Sequence, residues 1–596
     1  MEATTTATPS GTGSRTIADL LPRAASMYGG NLAVKRKTPD GWVDLTFAEV
    51  GEIAREVGLG ILDLDVAPGD RVSILCTTRP EWTYASFGIT QAGAVVVPIY
   101  PTNSPEECEW VLSDSEAVAV VCENADQVAK VEKVRDRLPN LRHVIAIEPA
   151  DGAISLDDLR ARGRARDPRE LEARTAAVTP EEPYTIIYTS GTTGPPKGCV
   201  LSHGNYRAIV DMVNQRELFR GDDDLVYLFL PLAHSFALLI QLAAFDGGTA
   251  LAYFGGDVKQ IVVELSEVKP TYLPSVPRIF EKIYGLVAAN VDADTLAKAT
   301  EVGGKVEDLR IAGQPIPDEL QAAYDQFDAT LFSNVRAAFG GRLREAVTGA
   351  APIAKEILEF FWACGVPVME GYGMTETATA STVSTPEHHK FGTVGRALPG
   401  VELKIADDGE VLVRGANVFQ GYWRNADASF GSIDEDGWLH TGDLGSLDED
   451  GYLSITGRKK DIIITAGGKN LTPANLENDL KQSRWISQAV MHGDRRPFPS
   501  MLITLDEETI VPWAQEHGIE DTSIPALARH PQVIALIQEE LDRANARYAQ
   551  VEQVKKFFIL DHDFSQETGE LTASLKVKRN VVAELYADRF DALYAD

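Results

Sequence analysis

Basic residues are in short supply in this 596-residue chain: 56 Lys and Arg stand against 88 Asp and Glu, a formal net charge of −32. A field of that sign repels nucleic acid and anionic lipid, so neither is expected as an electrostatic partner. An anionic substrate must be met by local donors. Cysteine is scarce as well. The five thiols (Cys76, Cys108, Cys122, Cys199, Cys364) make no close pair and no Cys/His metal spacing, so reduced structural thiols in a cytoplasmic protein are expected. Long hydrophobic runs are missing: none approaches the roughly 18 apolar residues of a membrane-spanning helix. Residues 1–16 are rich in Thr, Ser and Gly, with neither an apolar core nor a basic start. They read as a disordered tail and not a signal peptide. Internal repeats are absent too.

What remains is the composition of a soluble globular protein, 44% hydrophobic and 24% charged. It is too long for one core, so two or more domains are expected. From Arg71 onward, short apolar strands alternate with amphipathic helices. The pattern predicts strands at Arg71–Cys76, Ala94–Pro98, Ala117–Cys122 and His143–Glu148, and helices at Pro80–Ala92, Pro105–Ser113 and Asn124–Leu138. That alternation implies an α/β domain built on doubly wound, mostly parallel sheet. Asp151–Glu182 reads as a polar connection. Strands resume at Tyr184–Tyr188, Leu225–Leu230 and Thr249–Phe254, and Leu286–Phe339 is mainly helical by pattern. Near Leu403 the character shifts. Three acidic turns ending in Gly409, Gly437 and Gly451 separate strand-like runs, predicting a small β-rich subdomain. From about Asp461 a further α+β unit follows.

The most telling run is Thr189-Ser190-Gly191-Thr192-Thr193-Gly194-Pro195-Pro196-Lys197-Gly198. Glycines let backbone N–H groups approach an anion, and hydroxyls and a lysine add donors. The composition is that of a polyphosphate cradle. It is not a Walker A loop, because Pro196 stands where that motif wants glycine. A flexible surface loop is the competing explanation, but almost no position in this run is arbitrary.

Five further clusters follow. Gly349-Ala350-Ala351-Pro352 precedes a predicted helix Ala354–Cys364; small residues let backbone face a flat base, though a helix-entry turn explains them equally well. Tyr372-Gly373-Met374-Thr375-Glu376 follows a predicted strand Val366–Glu370, where an open α/β sheet places nucleotides. Thr441-Gly442-Asp443 offers a carboxylate able to accept both hydroxyls of a ribose. Gly457-Arg458-Lys459-Lys460-Asp461 marks the change to the terminal unit, and by composition is a basic linker. Leu571–Arg579 carries three basic residues and reads, by composition, as a solvated strand.

In this order the clusters resemble those of the adenylate-forming enzymes, which include acyl-CoA synthetases, luciferases and peptide-synthetase adenylation domains. The resemblance implies residue roles. Thr189, Ser190, Gly191, Thr192, Thr193, Gly194 and Lys197 would form the phosphate loop, and Gly349, Ala350 and Ala351 the adenine wall. Tyr372, flanked by Gly371, Gly373 and Met374, would stack on adenine. Thr375 would meet the α-phosphate, and Glu376 with Thr189 would bind Mg²⁺. Asp443 would hold ribose, Arg458 ribose or phosphate, and Lys460 would be the hinge. Gly467 and Gly468 would line a pantetheine channel. Lys576 aligns with the catalytic lysine, with Lys578 as the competing assignment. Leu575 stands where many relatives have glycine and resembles the long-chain fatty acid branch. The implied layout is an N-terminal domain over 17–459, its β-rich subdomain at about 400–459, and a mobile C-terminal domain over 460–596.

Leu230–Phe236, Ser275–Lys282 and Val97–Thr102 resemble segments of long-chain fatty acyl-CoA synthetases. His234 and Phe236 would then face the acyl tunnel; a satisfied core histidine explains His234 equally well. One methylene in an apolar tunnel is worth about 1–3 kcal/mol, so such segments select a class of acid more than a chain length. The implied reaction uses ATP and Mg²⁺ to convert a fatty acid to acyl-adenylate and pyrophosphate. Coenzyme A then takes the acyl group and AMP leaves. One alternative is a fatty acyl-AMP ligase that loads a carrier-protein thiol. A non-catalytic nucleotide-binding relative is a second, opposed by retention of Lys197, Glu376, Asp443, Arg458 and Lys576 together. The resemblance is compatible with a homodimer and with peripheral membrane contact.

Overall fold

The computed structural model describes residues 11–189, 195–466, 469–572 and 576–595. Its centre is two large sheets. In the first, eight strands run Gly421–Tyr422, Lys197–Ser202, Pro183–Thr189, Val95–Ile99, Arg71–Leu75, Ala119–Cys122, His143–Ala146 and Ile154–Ser155. The interior pairs are parallel, with Val72 opposite both Val96 and Ala119, and antiparallel pairs close one edge. The second sheet has nine strands, with Glu345–Thr348 and Val368–Tyr372 parallel neighbours near one edge. Val95–Ile99 and Ala119–Cys122 are buried along their whole length, as strands covered on both faces must be. The helices Pro80–Gln91 and Ser235–Asp246 are buried on every side, which fits their all-round apolar surface. Phe87 and Phe245 stack between them at 5.8 Å.

Most expected elements lie within a few residues of their expected ends. Two expectations need correction. Asp151–Glu182 is not a bare connection: it holds the short strand Ile154–Ser155 and the helices Leu156–Arg164 and Pro168–Ala177. Its arginines are spent on the fold, since Arg160 and Arg164 both reach Glu56, at 2.8 and 3.0 Å. The expected disordered tail also fails at residues 11–16. Thr12, Ser14 and Thr16 are buried. Thr12 N–H and Oγ1 donate to Asp246, a fully buried carboxylate that also accepts from Arg207 and Asn214. No local hydrophobic period announces this contact, because its partner is 234 residues away.

Beyond the second sheet lies a four-stranded antiparallel sheet of Glu402–Ile405, Glu410–Arg414, Leu439–Leu447 and Leu453–Arg458. Its turns use Gly409 and Gly451 at φ near +80°, which side-chain-bearing residues adopt at a cost. The chain passes through the short turn Lys459–Asp461 into the terminal unit. There a three-stranded sheet of Ile486–His492, Ser500–Leu505 and Lys556–Ile559 packs against the helices Pro473–Lys481 and Pro531–Asn545. Two ion pairs join this unit to the helix Pro277–Ala288: Arg278 to Asp506 at 2.6 Å and Lys282 to Glu508 at 2.5 Å. Among the described residues no helix is long and apolar enough to cross a membrane.

Candidate active site

The strand Pro183–Thr189 ends where the glycine–threonine run begins, and the chain returns antiparallel as Lys197–Ser202, pairing Thr189 with Lys197. The two strands are therefore antiparallel neighbours, the arms of a hairpin. Ser190, Gly191, Thr192, Thr193 and Gly194 lie outside the described residues. The stem is held from several sides. Trp110 Nε1 donates to Pro196 O at 2.9 Å, and Trp423 N–H donates to Gly198 O at 2.7 Å. A Cβ on Gly198 would stand 2.7 Å from Ile186 Cγ2 and 3.3 Å from Trp423 Cβ, so only glycine lets these layers close.

Glu376 is buried in the short turn Thr375–Thr377, beside the mouth of the hairpin. Tyr422 Oη donates to its Oε1 at 2.7 Å. The same ring lies beneath the Lys197 ammonium, whose Nζ is 5.3 Å from the ring centroid. Burial, and then the Glu376 charge, push the Tyr422 phenol well above its ordinary range, so it stays protonated and donates. The same two causes raise the buried Cys199 thiol, which makes it a packing group and not a thiolate. Thr189 Oγ1 lies 3.8 Å from that sulfur and 3.5 Å from Lys197 O.

Tyr372, Asp443 and Arg458 meet directly. Tyr372 Oη donates to Asp443 Oδ2 at 2.8 Å, and Arg458 Nε donates to Oδ1 at 2.7 Å. Strand pairing sets the second contact, since Asp443 and Arg458 face each other across the antiparallel sheet. Each carboxylate oxygen accepts one bond here and keeps capacity for another. The chain around Tyr372 is tightly folded. A Cβ on Gly373 would fall 2.1 Å from Thr379 O, and Ala378 and Thr379 hold φ of 48° and 99°. Asn417 pins this turn by donating to Thr377 O at 3.1 Å and Ala380 O at 2.9 Å. Such strained residues persist only where the surroundings over-determine them. Gly349 abuts Gly371: a Cβ on Gly349 would meet Gly371 O at 3.0 Å. Ala350, with φ of 66°, and Ala351 are exposed beside them. Met374 is half-buried against the core, and Thr375 is buried.

Lys576 belongs to the terminal unit. Its N–H donates to Thr572 Oγ1 at 3.0 Å, and its carbonyl accepts from Thr572 N–H at 2.8 Å. The residue is exposed, and its ammonium lies back toward Arg458 and Asp443. Desolvation there, and then the nearby Arg458, lower its ammonium below the usual lysine range, opposed by Asp443 and Glu376. Lys460 feels the same groups: burial and Arg458 lower it, and Asp461, Asp443 and Glu376 oppose. Lys578 instead begins the helix Arg579–Leu585, its N–H bound to Glu570 O at 2.7 Å. His234 caps the helix Ser235–Asp246, its Nδ1 accepting from Phe236 N–H at 3.2 Å. Burial, with Lys576 nearby, pushes its imidazole down to about 4, so the ring is neutral at pH 7. Phe236 is half-buried against the same core. Gly467 and Gly468 lie outside the described residues.

Sequence reasoning missed two residues here. Tyr422 sits on the two-residue strand Gly421–Tyr422, too short to carry a period. Asn417 stands alone in a loop. Only the Gly-Tyr-Trp run at 421–423, between two turn-rich stretches, hinted at an anchored aromatic.

The arrangement comprises a lysine-bearing hairpin beside a buried carboxylate, and a tyrosine–aspartate–arginine cluster with a second lysine near it. Such a set can receive a nucleotide and balance the charge of its phosphates. The chain belongs to the AMP-binding enzyme family, whose model matches residues 21–423; the AMP-binding enzyme C-terminal domain matches 460–596. It is 43% identical, over 93% of its length and 92% of the relative's, to the long-chain-fatty-acid–CoA ligase FadD15 of Mycobacterium bovis. It is 33% identical, over 98% of its length and 84% of the relative's, to the long-chain-fatty-acid–CoA ligase ACSBG2 of Xenopus laevis. The fold is shared with a solved anthranilate CoA ligase in complex with anthranoyl-AMP, at TM-score 0.71 and 22% identity over 96% and 97% of the two chains. The fatty acyl CoA synthetase of Mycobacterium tuberculosis shares it at 0.61 and 21%, over 96% and 99%.

Proposed function

We propose that this protein activates a long-chain fatty acid with ATP, releasing pyrophosphate, and transfers the acyl group from acyl-adenylate to coenzyme A, releasing AMP. The observation that supports the reading is the cluster in which the Asp443 carboxylate accepts from Tyr372 at 2.8 Å and from Arg458 at 2.7 Å, with Lys576 of the terminal unit near enough to feel the Asp443 and Glu376 charges. A carboxylate is a poor acyl donor because its leaving group would be oxide. Attack of the carboxylate oxygen on the α-phosphorus makes a mixed anhydride and expels pyrophosphate. Two anions must approach, so fixed cations at the developing charge are the main requirement. Lys197 on the hairpin stem and Lys576 opposite supply them. Tyr372 offers a face to adenine, and the Asp443 carboxylate offers acceptors to ribose. In the second step the thiolate of coenzyme A attacks the acyl carbon, and the C–O bond to AMP breaks.

The donor set suits Mg²⁺. Glu376 is a single buried carboxylate with one oxygen held by Tyr422, and among the described residues no group of three metal-binding side chains occurs. Mg²⁺ commonly takes one or two protein carboxylates and leaves its other positions to phosphate and water. Glu376 and the Thr189 hydroxyl would hold it, and it would neutralise phosphate charge. The long-chain assignment is supported by the relatives named above.

The test incubates purified protein with ATP, Mg²⁺ and a fatty-acid chain-length series, with and without coenzyme A, and identifies products by mass spectrometry. Acyl-CoA and AMP formed only with coenzyme A are expected. Acyl-adenylate that persists despite coenzyme A would overturn the thioester step and favour a carrier-protein acceptor.

A further inference from the structure

Tyr422 touches both of the groups that the proposed adenylation relies on at the phosphates, and no role follows for it from the sequence clusters. Its hydroxyl holds Glu376 Oε1 at 2.7 Å, and its ring carries the Lys197 ammonium at 5.3 Å. Its backbone is fixed as firmly as its side chain. Gly421–Tyr422 pairs antiparallel with the hairpin strand, setting Tyr422 opposite Cys199 and Gly421 opposite Val200. Tyr422 N–H donates to Ser429 Oγ at 2.9 Å, and Phe419 packs edge-on to the ring at 4.9 Å. Phe419 N–H in turn donates to Glu376 O at 2.8 Å, so the segment grips both ends of the glutamate.

We propose that Tyr422 is a positioning residue that fixes the Glu376 carboxylate and the Lys197 ammonium at one spacing, so that a metal-bound polyphosphate meets both at once. The inference rests on the adenylation reading. Its physical basis is twofold. A ligating carboxylate with one oxygen tied by a hydrogen bond presents the other in a set direction, and loss of such a partner typically costs about 10–100-fold in metal affinity or activity. A lysine stem is flexible, and an aromatic face is one of the few surfaces that orients an ammonium without neutralising it.

Two variants separate the parts. Tyr422→Phe removes the hydroxyl and keeps the ring; Tyr422→Leu removes both. Acyl-adenylate formation is measured against Mg²⁺ concentration, and binding of Mn²⁺–ATP is measured by electron paramagnetic resonance, which needs no turnover. Tyr422→Phe should raise the half-saturating Mg²⁺ by about 10-fold and weaken Mn²⁺–ATP similarly, with KM for the fatty acid unchanged. Tyr422→Leu should also raise KM for ATP. A Tyr422→Phe protein with wild-type Mg²⁺ dependence and Mn²⁺–ATP affinity would overturn the proposal. If Tyr422→Phe does not fold, Ser429→Ala, which removes the acceptor for the Tyr422 N–H, must show a smaller shift of the same kind; wild-type behaviour there overturns it equally. Absence of acyl-adenylate from the wild-type protein would strike the adenylation reading instead.

Discussion

Two ion pairs join the helix Pro277–Ala288 to the terminal unit that carries Lys576, and so bias its orientation. Replacing Arg278 and Lys282 together by alanine removes both. The magnitude follows from exposure. The Arg278 side chain is 51% exposed and Lys282 59%, against 17% for Asp506 and 64% for Glu508. Pairs this wet contribute about 0.2–1 kcal/mol each, so the two together bias the orientation by about 1 kcal/mol. That energy corresponds to roughly a 5-fold change in a population ratio. The two bridges are therefore a bias and not a lock, which suits the proposal that the terminal unit turns between two half-reactions. The assay compares fatty-acid-dependent pyrophosphate release with thioester formation from preformed acyl-adenylate. The double variant should lose up to about 5-fold in pyrophosphate release at low salt while thioester formation is unchanged or faster. At about 1 M salt, where the Debye length is near 3 Å, variant and wild type should converge. Equal loss in both half-reactions, or a loss that persists at high salt, would refute the reasoning.

Other outcomes are expected. Lys576→Ala should slow acyl-adenylate formation by about 10²–10³-fold, the usual cost of a fixed donor at developing charge, while sparing thioester formation from preformed acyl-adenylate; equal loss in both would remove its role. Asp246→Ala leaves the buried Arg207 with only the exposed Asp211 as a carboxylate partner and should cost about 3 kcal/mol, read as a fall in Tm. It should also expose the chain near Arg15 to trypsin. His203, whose Nδ1 accepts from Ile17 N–H, is pushed down by burial to about 3. Above pH 6.5 it is neutral folded or unfolded and contributes nothing to pH dependence. Below that value the unfolded chain takes a proton that the folded chain cannot, so stability falls by roughly 1.4 kcal/mol per pH unit down to about pH 3. His203→Gln should therefore lose less Tm than wild type between pH 7 and 4, and parallel losses would contradict the assignment.

The strands around Val95–Ile99 and Ala119–Cys122 were legible because a strand buried on both faces must be apolar throughout, which shows in any window. The Thr189–Gly198 and Tyr372–Glu376 runs stood out because their residue types are costly anywhere else, though residues 190–194 lie outside the described residues. Other features lay out of reach. The helices within Asp151–Glu182 are dominated by arginines whose partners, such as Glu56 and Asp63, come from another helix, so their polarity imitated a loop. Thr12 and Ser14 carry no apolar signal because a buried ion pair, not a hydrophobic face, holds them: Thr12 donates to Asp246 and Ser14 Oγ accepts from Arg207.

By itself the sequence determined the α/β class, the order of the clusters and the chemical types available, since these depend on local composition and on periods of two and 3.6 residues. Tertiary structure alone decided which of those groups share a field. Asp443 meets Arg458 through strand register and Tyr372 through sheet packing, and Lys576, far along the chain in the terminal unit, feels the same charges. Tyr422 acquires its place from a two-residue strand added to the edge of the first sheet. Electrostatic coupling falls off over a few ångströms of space, and separation along the chain is no guide to that distance.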